Sequence, residues 1–454
     1  MNLDFSREHL NRQLSMKNRI LNILFWSVIS AAFIGPGTIT TASKAGADFG
    51  YSLLWALVFS TLACLVLQET VARLTIVSGR NLGAAIRHQY KNTPYFTLIL
   101  VLVIGAIIIG SAAYETGNIL GAVAGLHFLL SWNTLIFISI IGLTAFFILN
   151  TPSLKGIARL MGFVVVVMGF SFITTAILLK PDFQEILKGS IIPKIPHGNG
   201  AGILILGLIG TTVVPYNLFL GSGITSKNQQ LKEMRFGLSI AVLLGGLISM
   251  SVLIVGVFIS GDFSYEALVE TLSSGLGKWG VWIFGIGMFA AGLSSAVTAP
   301  LASALTAQSL FSSDNPKKWD IRSFNFKTSW LFVLVIGIGL GTAGFKPVPA
   351  IILAQALNGL ILPFISIFLV FVVNNEQIMG TGNRNGWISN VLLLIVVFIT
   401  LLLGIMNIVK AGKQVFPGIM MTDIITLWIN FIISSIIWII VIVKMLHIRK
   451  NTGE

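Results

Sequence analysis

Apolar residues run in long blocks separated by short polar segments. The blocks fall near 21–45, 50–77, 95–126, 133–150, 156–179, 202–223, 235–261, 279–311, 328–345, 348–374, 387–409 and 422–446. A helix needs roughly 20 apolar residues to cross a bilayer, so the pattern predicts an all-α polytopic membrane protein with about twelve transmembrane helices. Two blocks are interrupted. Phe33-Ile34-Gly35-Pro36-Gly37-Thr38 lies in the first, and Thr211-Thr212-Val213-Val214-Pro215-Tyr216-Asn217 lies in the sixth. Proline removes a backbone donor and glycine lowers helix propensity. Taken singly, either break reads as a proline kink, which membrane helices commonly carry. Taken together, breaks in corresponding halves point to discontinuous helices of an inverted repeat, with a substrate site at the breaks. Unpaired backbone in hydrocarbon is tolerated only where protein or a water-filled cavity covers it. A five-plus-five repeat places repeat one at about 21–179, repeat two at about 202–374 and two extra helices at about 387–446. The polar ends are 1–20 and 447–454.

Composition agrees with this layout. The chain has 454 residues, 55% of them hydrophobic and 10% charged, with mean hydropathy +0.91, which excludes a soluble domain of this size. The formal charge of +13 raises the question of nucleic acid, but the basic residues are scattered one to four per loop. Of the 29 lysines and arginines, 21 fall on alternate segments beginning with the N-terminal one. That bias orients both termini to the cytoplasm of a cell membrane and leaves no basic patch for nucleic acid. Cys64 is the one cysteine and sits in an apolar block, so no disulfide framework or thiolate cluster is expected. The polar start and long first block do not read as a cleavable signal peptide. His88, His127, His197 and His447 are isolated, without metal-ligand spacing, and no Gly-x4-Gly-Lys-Ser/Thr loop is present. The chain therefore reads as a transporter without a cofactor, neither an enzyme nor driven by its own ATP hydrolysis.

Four collinear segments carry a family resemblance. They are Ala45-Gly46-Ala47-Asp48-Phe49-Gly50-Tyr51 with Leu67-Gln68 and Ala72-Arg73-Leu74; Pro215-Tyr216-Asn217-Leu218-Phe219-Leu220; Gly292-Leu293-Ser294-Ser295-Ala296-Val297-Thr298; and Gln355 with Leu362-Pro363-Phe364. Together they resemble the Nramp (natural-resistance-associated macrophage protein) divalent-metal transporters over about the first 370 residues. The resemblance implies the amino-acid/cation symporter fold, with helices one and six unwound at the site, and a metal cation as the default substrate.

The departures from the family pattern concern its ligands. Where the family's first-helix Asp-Pro-Gly-Asn is matched, this chain has Gly35 in place of the metal-binding Asp and Thr38 in place of the Asn. The sixth-helix Met ligand is Val214, the His is Tyr216, and a second Gln of the tenth helix is Ile361. A thioether favours transition metals, whereas hydroxyl, amide and carbonyl oxygens suit hard or hydrated ions. The candidate substrate-binding residues are Gly35, Gly37, Thr38, Thr211, Val214, Tyr216, Asn217 and Gln355, with Thr38 and Gln355 as side-chain metal donors. Mn²⁺ or Fe²⁺ is disfavoured at such a site and a hard or hydrated ion such as Mg²⁺ is favoured. Two alternatives stay open: symport of a small organic acid or amino acid, and a sensor that has lost transport.

Acids inside apolar blocks are costly. Aligned with the family through Leu126, Glu115 falls where the family carries an Asp linked to proton movement, and Asn118 replaces a second acid three residues on. These two are the candidates for coupling to a proton or sodium ion, with Glu115 facing the central site; a structural, hydrogen-bonded Glu is the simpler alternative. Glu69, four residues before Arg73, reads as an ion pair at a helix end, and Lys44 as a partner of Asp48. The run Ser294–Thr298 reads as a close-packing stripe ahead of a substrate contact. Trp55, Trp132, Trp282 and Trp387 read as interfacial or core residues. The expected partners are the transported solute, the bilayer and a coupling ion.

Overall fold

A computed structural model describes residues 22–23, 25–26, 29–30, 32–151, 167, 169–196, 200–312, 316–415 and 423–451, with the side chains of 410–426 left aside. The N-terminal segment 1–20, half of the block at 156–179 with Lys155 and Arg159, His197, and residues 452–454 of the C-terminal tail lie outside the described residues.

The regular elements in chain order are helices. They are α1 (Pro36–Phe49), α2 (Leu54–Ser78), α3 (Leu82–Tyr90), α4 (Phe96–His127), α5 (Thr134–Asn150), α6 (Gly169–Leu178), α7 (Phe183–Ile191), α8 (Ala201–Thr212) and α9 (Pro215–Ile224). There follow α10 (Leu231–Val257), α11 (Tyr265–Leu276), α12 (Trp279–Phe311), α13 (Phe324–Thr342), α14 (Pro347–Val373), α15 (Glu376–Met379), α16 (Trp387–Val415) and α17 (Asp423–Asn451). Helical residues at 22–23, 25–26, 29–30 and 32–33 lead up to α1. Among the described residues nine runs are long and apolar enough to cross a bilayer, and α5 and α6 are shorter apolar helices. The first of the nine, Pro36–Ser78, is divided by the 3₁₀ turn Gly50–Leu53. Gly50 takes φ 57°, a left-handed conformation that glycine adopts without strain. With that run counted as two crossings, the tally agrees with about twelve.

Small residues set the helix crossings. Lipid tails are as apolar as leucine, so packing rather than the hydrophobic effect must hold membrane helices together. Gly46 of α1 lies against the Leu253 carbonyl of α10, and Gly256 of α10 against the Ser43 carbonyl of α1. Gly210 of α8 and Gly359 of α14 touch each other's helices in the same reciprocal way, at the Gln355 and Leu206 carbonyls. On α12, Gly292 faces Ala122 and the Asn118 carbonyl of α4.

Burial then separates centre from rim. In the α8–α9 run, 94% of the most apolar 18-residue window is buried, against 22% in α17. The broken sixth span is thus the axis of the bundle, and the last helix faces outward.

Candidate functional site

The first break is made by its own sequence. Proline disfavours the α conformation in the residue before it, and Gly35 is extended at φ −125°, ψ −171°. Pro36 then opens α1 at the position where its missing N–H costs least. The second break repeats the device. Val213 and Val214 leave helical geometry between α8 and α9, and Pro215 opens α9. Neither new helix has a side-chain cap at its N-terminus.

The breaks meet through side chains. The Thr38 and Thr211 hydroxyl oxygens lie 2.7 Å apart, and the Thr38 hydroxyl also reaches the Phe33 carbonyl. Gly37 touches the Gln355 side chain so closely that a Cβ there would overlap the amide nitrogen. Gly35 faces Ser295, whose Oγ stands 2.7 Å from where a Cβ would sit, with Asn118 Oδ1 at 3.9 Å. Gly121 of α4 abuts Pro36 itself. Tyr114 and Tyr216 pack edge to face, ring centroids 5.4 Å apart. The Tyr114 hydroxyl approaches Thr211, Tyr216 and Gln355 without making a well-formed hydrogen bond to any of them.

Polar atoms without protein partners gather here. They include Tyr114 Oη, Tyr216 Oη, Gln355 Oε1, Ser295 Oγ, Asn118 Oδ1, Glu115 Oε1 and both polar atoms of the Asn217 side chain. All seven residues are buried. Each unsatisfied group of this kind costs about 1–3 kcal/mol, so a cluster of them marks a place built to receive something polar.

The candidate residues divide by position. Thr38, Thr211, Gly37 and Gln355 form one group at the two breaks. Gly35 and Asn118 meet beside Ser295. Tyr216 joins through Tyr114. Val214 caps α9 and contributes backbone, its side chain being buried and apolar. Asn217 lies just past the break, its carbonyl accepting from Gln68 Nε2 at 3.0 Å. Glu115 packs its Cγ on Gly337 of α13 and accepts from Asn118 Nδ2 at 3.4 Å, so it addresses the first break through Asn118. No lysine or arginine lies within ion-pair distance of Glu115 among the described residues, and no cluster of three or more His, Cys, Asp or Glu there is able to hold a metal.

Sequence reasoning missed Tyr114, and it put Ser295 in a packing stripe ahead of a substrate contact. A signal was present for the first. Ser111, Tyr114, Glu115 and Asn118 follow the i, i+3, i+4, i+7 spacing of one helix face and are all buried in α4.

Two helices unwound at mid-span, with buried polar groups converging between them, define a secondary carrier of the discontinuous-helix type. The fold is that of solved carriers. A single-residue mutant of the Eremococcus coleocola manganese transporter superposes with TM-score 0.69 at 21% identity, covering 95% of this chain and 94% of that one. Mhp1, a nucleobase-cation-symport-1 family transporter, superposes with TM-score 0.56 at 16% identity over 95% and 93%. By sequence, the Bacillus subtilis (strain 168) divalent metal cation transporter MntH is 29% identical over 398 residues, 83% of this chain and 89% of that protein. The MntH of Yersinia pestis (strain Pestoides F) is 26% identical over 370 residues, 78% and 86%. The family model for natural resistance-associated macrophage protein-like (Nramp) sequences matches residues 27–410, and the chain belongs to that family.

Proposed function

We propose that this protein moves a hard or hydrated divalent cation, Mg²⁺ before Mn²⁺ or Fe²⁺, across the cell membrane by alternating access. The observation that carries the reading is the set of unpartnered oxygens at the two breaks, with no thioether, thiol or imidazole among them. The relatives named above are called divalent metal cation and manganese transporters, which supports a divalent cation as cargo. The soft Met of the family pattern has no counterpart here, where Val214 stands. Hydroxyl and amide oxygens suit an ion that keeps part of its water shell, as Mg²⁺ does. Thr38, Thr211 and Gln355 would bind the ion or its waters. Tyr114 and Tyr216 would close the site, and Glu115 would carry a coupling proton through Asn118. The cycle would move the elements of repeat one and repeat two, about 21–179 and 202–374, around this site, with both termini in the cytoplasm.

A second reading rests on the two uncapped helix N-termini at Pro36 and Pro215. Such ends favour a carboxylate and support a small organic acid or amino acid as cargo. Reconstituted protein separates the two. Mg²⁺ uptake into proteoliposomes above Mn²⁺ uptake supports the first reading. Uptake of a carboxylate with no metal flux overturns it. Background flux for every solute, with Mg²⁺ binding retained, would make the chain a sensor.

A further inference from the structure

A cavity of about 210 Å³ opens between the end of α5 and the start of α13, lined by Leu149, Asn150, Thr151, Ile321, Arg322 and Lys327. None of these residues belongs to the site at the helix breaks. Lys327 Nζ donates to Asn150 Oδ1 at 2.8 Å, which fixes the ammonium at the pocket wall. The Arg322 guanidinium has no hydrogen-bond or ion-pair partner among the described residues. The neighbouring carboxylate, Asp320, is engaged with backbone, its Oδ1 accepting from the Arg322 N–H at 3.0 Å. Among the described residues the pocket therefore presents two cations and no paired acid.

Its surroundings are apolar and face outward. Leu143 and Phe147 of α5 are exposed, as are Phe324, Phe332 and Val335 of α13. Both helices belong to the apolar set, so these faces meet lipid tails rather than water. Below the pocket the two helices close together, Phe146 and Trp330 packing with ring centroids 5.6 Å apart and Gly142 lying against Ile338. The polar opening thus sits at the end of two lipid-facing ridges, where a headgroup would lie if the tails ran along the ridges.

We propose that this pocket binds the phosphate of an anionic phospholipid. A guanidinium offers a planar fork to phosphate oxygens and an ammonium adds a point charge. Basic pockets between membrane helices on the cytoplasmic side take anionic headgroups for this reason. Free phosphate shares the recognition chemistry. The apolar ridges continuous with the pocket are what favour the lipid.

The test uses the full chain, delipidated in neutral detergent, with phosphatidylglycerol, phosphatidylcholine of the same tails, or inorganic phosphate added. Melting temperature and native mass spectrometry report binding. Phosphatidylglycerol is expected to raise the melting temperature above the phosphatidylcholine value and to remain bound in the gas phase. Arg322→Gln with Lys327→Gln is expected to weaken it tenfold or more while leaving the melting temperature in phosphatidylcholine unchanged. Equal shifts with the two lipids, or a shift that survives in the double variant, overturn the proposal. A shift that inorganic phosphate reproduces in full makes this a free-anion site and overturns the lipid assignment. Arg322→Gln alone breaks no side-chain hydrogen bond or ion pair among the described residues, so it serves if the double variant does not fold. Unchanged phosphatidylglycerol affinity in that variant overturns the proposal as well.

Discussion

Thr38 and Thr211 hold the two halves of the site together, their hydroxyl oxygens 2.7 Å apart across breaks that lie 173 residues apart in sequence. One proton serves that contact, and Thr38 also spends a hydrogen bond on the Phe33 carbonyl. Hydrogen bonds to a charged partner contribute about 1.5–3 kcal/mol, a factor of roughly ten to a hundred in affinity. Thr38→Ala and Gln355→Ala are each expected to weaken cation binding by that factor, with folded protein still recovered. Titration calorimetry on the purified variants checks this, and unchanged affinity in both removes these residues from the site.

Glu115 meets the breaks through Asn118 rather than directly. A carboxyl in that position can exchange a proton without competing for the cargo. Glu115→Gln preserves shape and can keep the Asn118 contact, so the protein is expected to fold and to transport. Uptake is expected to lose its dependence on external pH, measured in proteoliposomes over a series of external pH values. A pH response equal to that of the unmodified chain would place the proton route elsewhere.

Much of this arrangement was legible in the chain itself, and the limits were physical. Gly35-Pro36-Gly37 and Val214-Pro215 announce the breaks because their effect is local. The block at 202–223 becomes Ala201–Ile224 for the same reason. Helices α3, α7 and α11 were not foreseen, since they lie in polar connections where average hydropathy is low. Their N-caps, Asn81, Asp182 and Ser264, were readable as such. Contacts distant in sequence leave no local trace. Glu69 pairs with Arg73 at 3.6 Å as its spacing implied, but the shorter pair, 2.8 Å, is to Arg235 on α10. The seating of Pro36 on Gly121 is equally invisible to periodicity.

Gly210 supplies a test of the packing. A Cβ there would fall on the Gln355 carbonyl and within 2.6 Å of the Gly359 nitrogen, both backbone atoms that cannot rotate away. Overpacking of this kind costs about 1–3 kcal/mol, and here it would also push Gln355 off the site. Gly210→Ala is expected to lower the melting temperature and weaken binding together. Gly105→Ala is the control. Nothing lies within 4 Å of a Cβ at that helical position, so it is expected to leave the melting temperature level or raise it.

The last prediction concerns what the site lacks. If the oxygen-only donor set is the reason this chain disfavours Mn²⁺, then restoring the family's charged and soft ligands must restore Mn²⁺. Gly35 is extended at φ −125°, a conformation open to Asp. A Cβ there would stand 2.7 Å from Ser295 Oγ but 3.6 Å from Ser295 Cβ, so a turn of one hydroxyl makes room. Val214 is buried beside the second break, and Met at that position is flexible enough to fit an irregular space. Gly35→Asp with Val214→Met is therefore expected to raise Mn²⁺ affinity tenfold or more, and to raise it more than Mg²⁺ affinity, because the thioether contributes to the softer ion alone. Gly35→Asp by itself is expected to strengthen both ions, since a carboxylate does not discriminate between them. Competition binding with the two metals on the single and double variants measures the difference. If the double variant gains no preference for Mn²⁺ while remaining folded, the missing ligands are not what sets the selectivity, and the oxygen-donor account of the site fails with them.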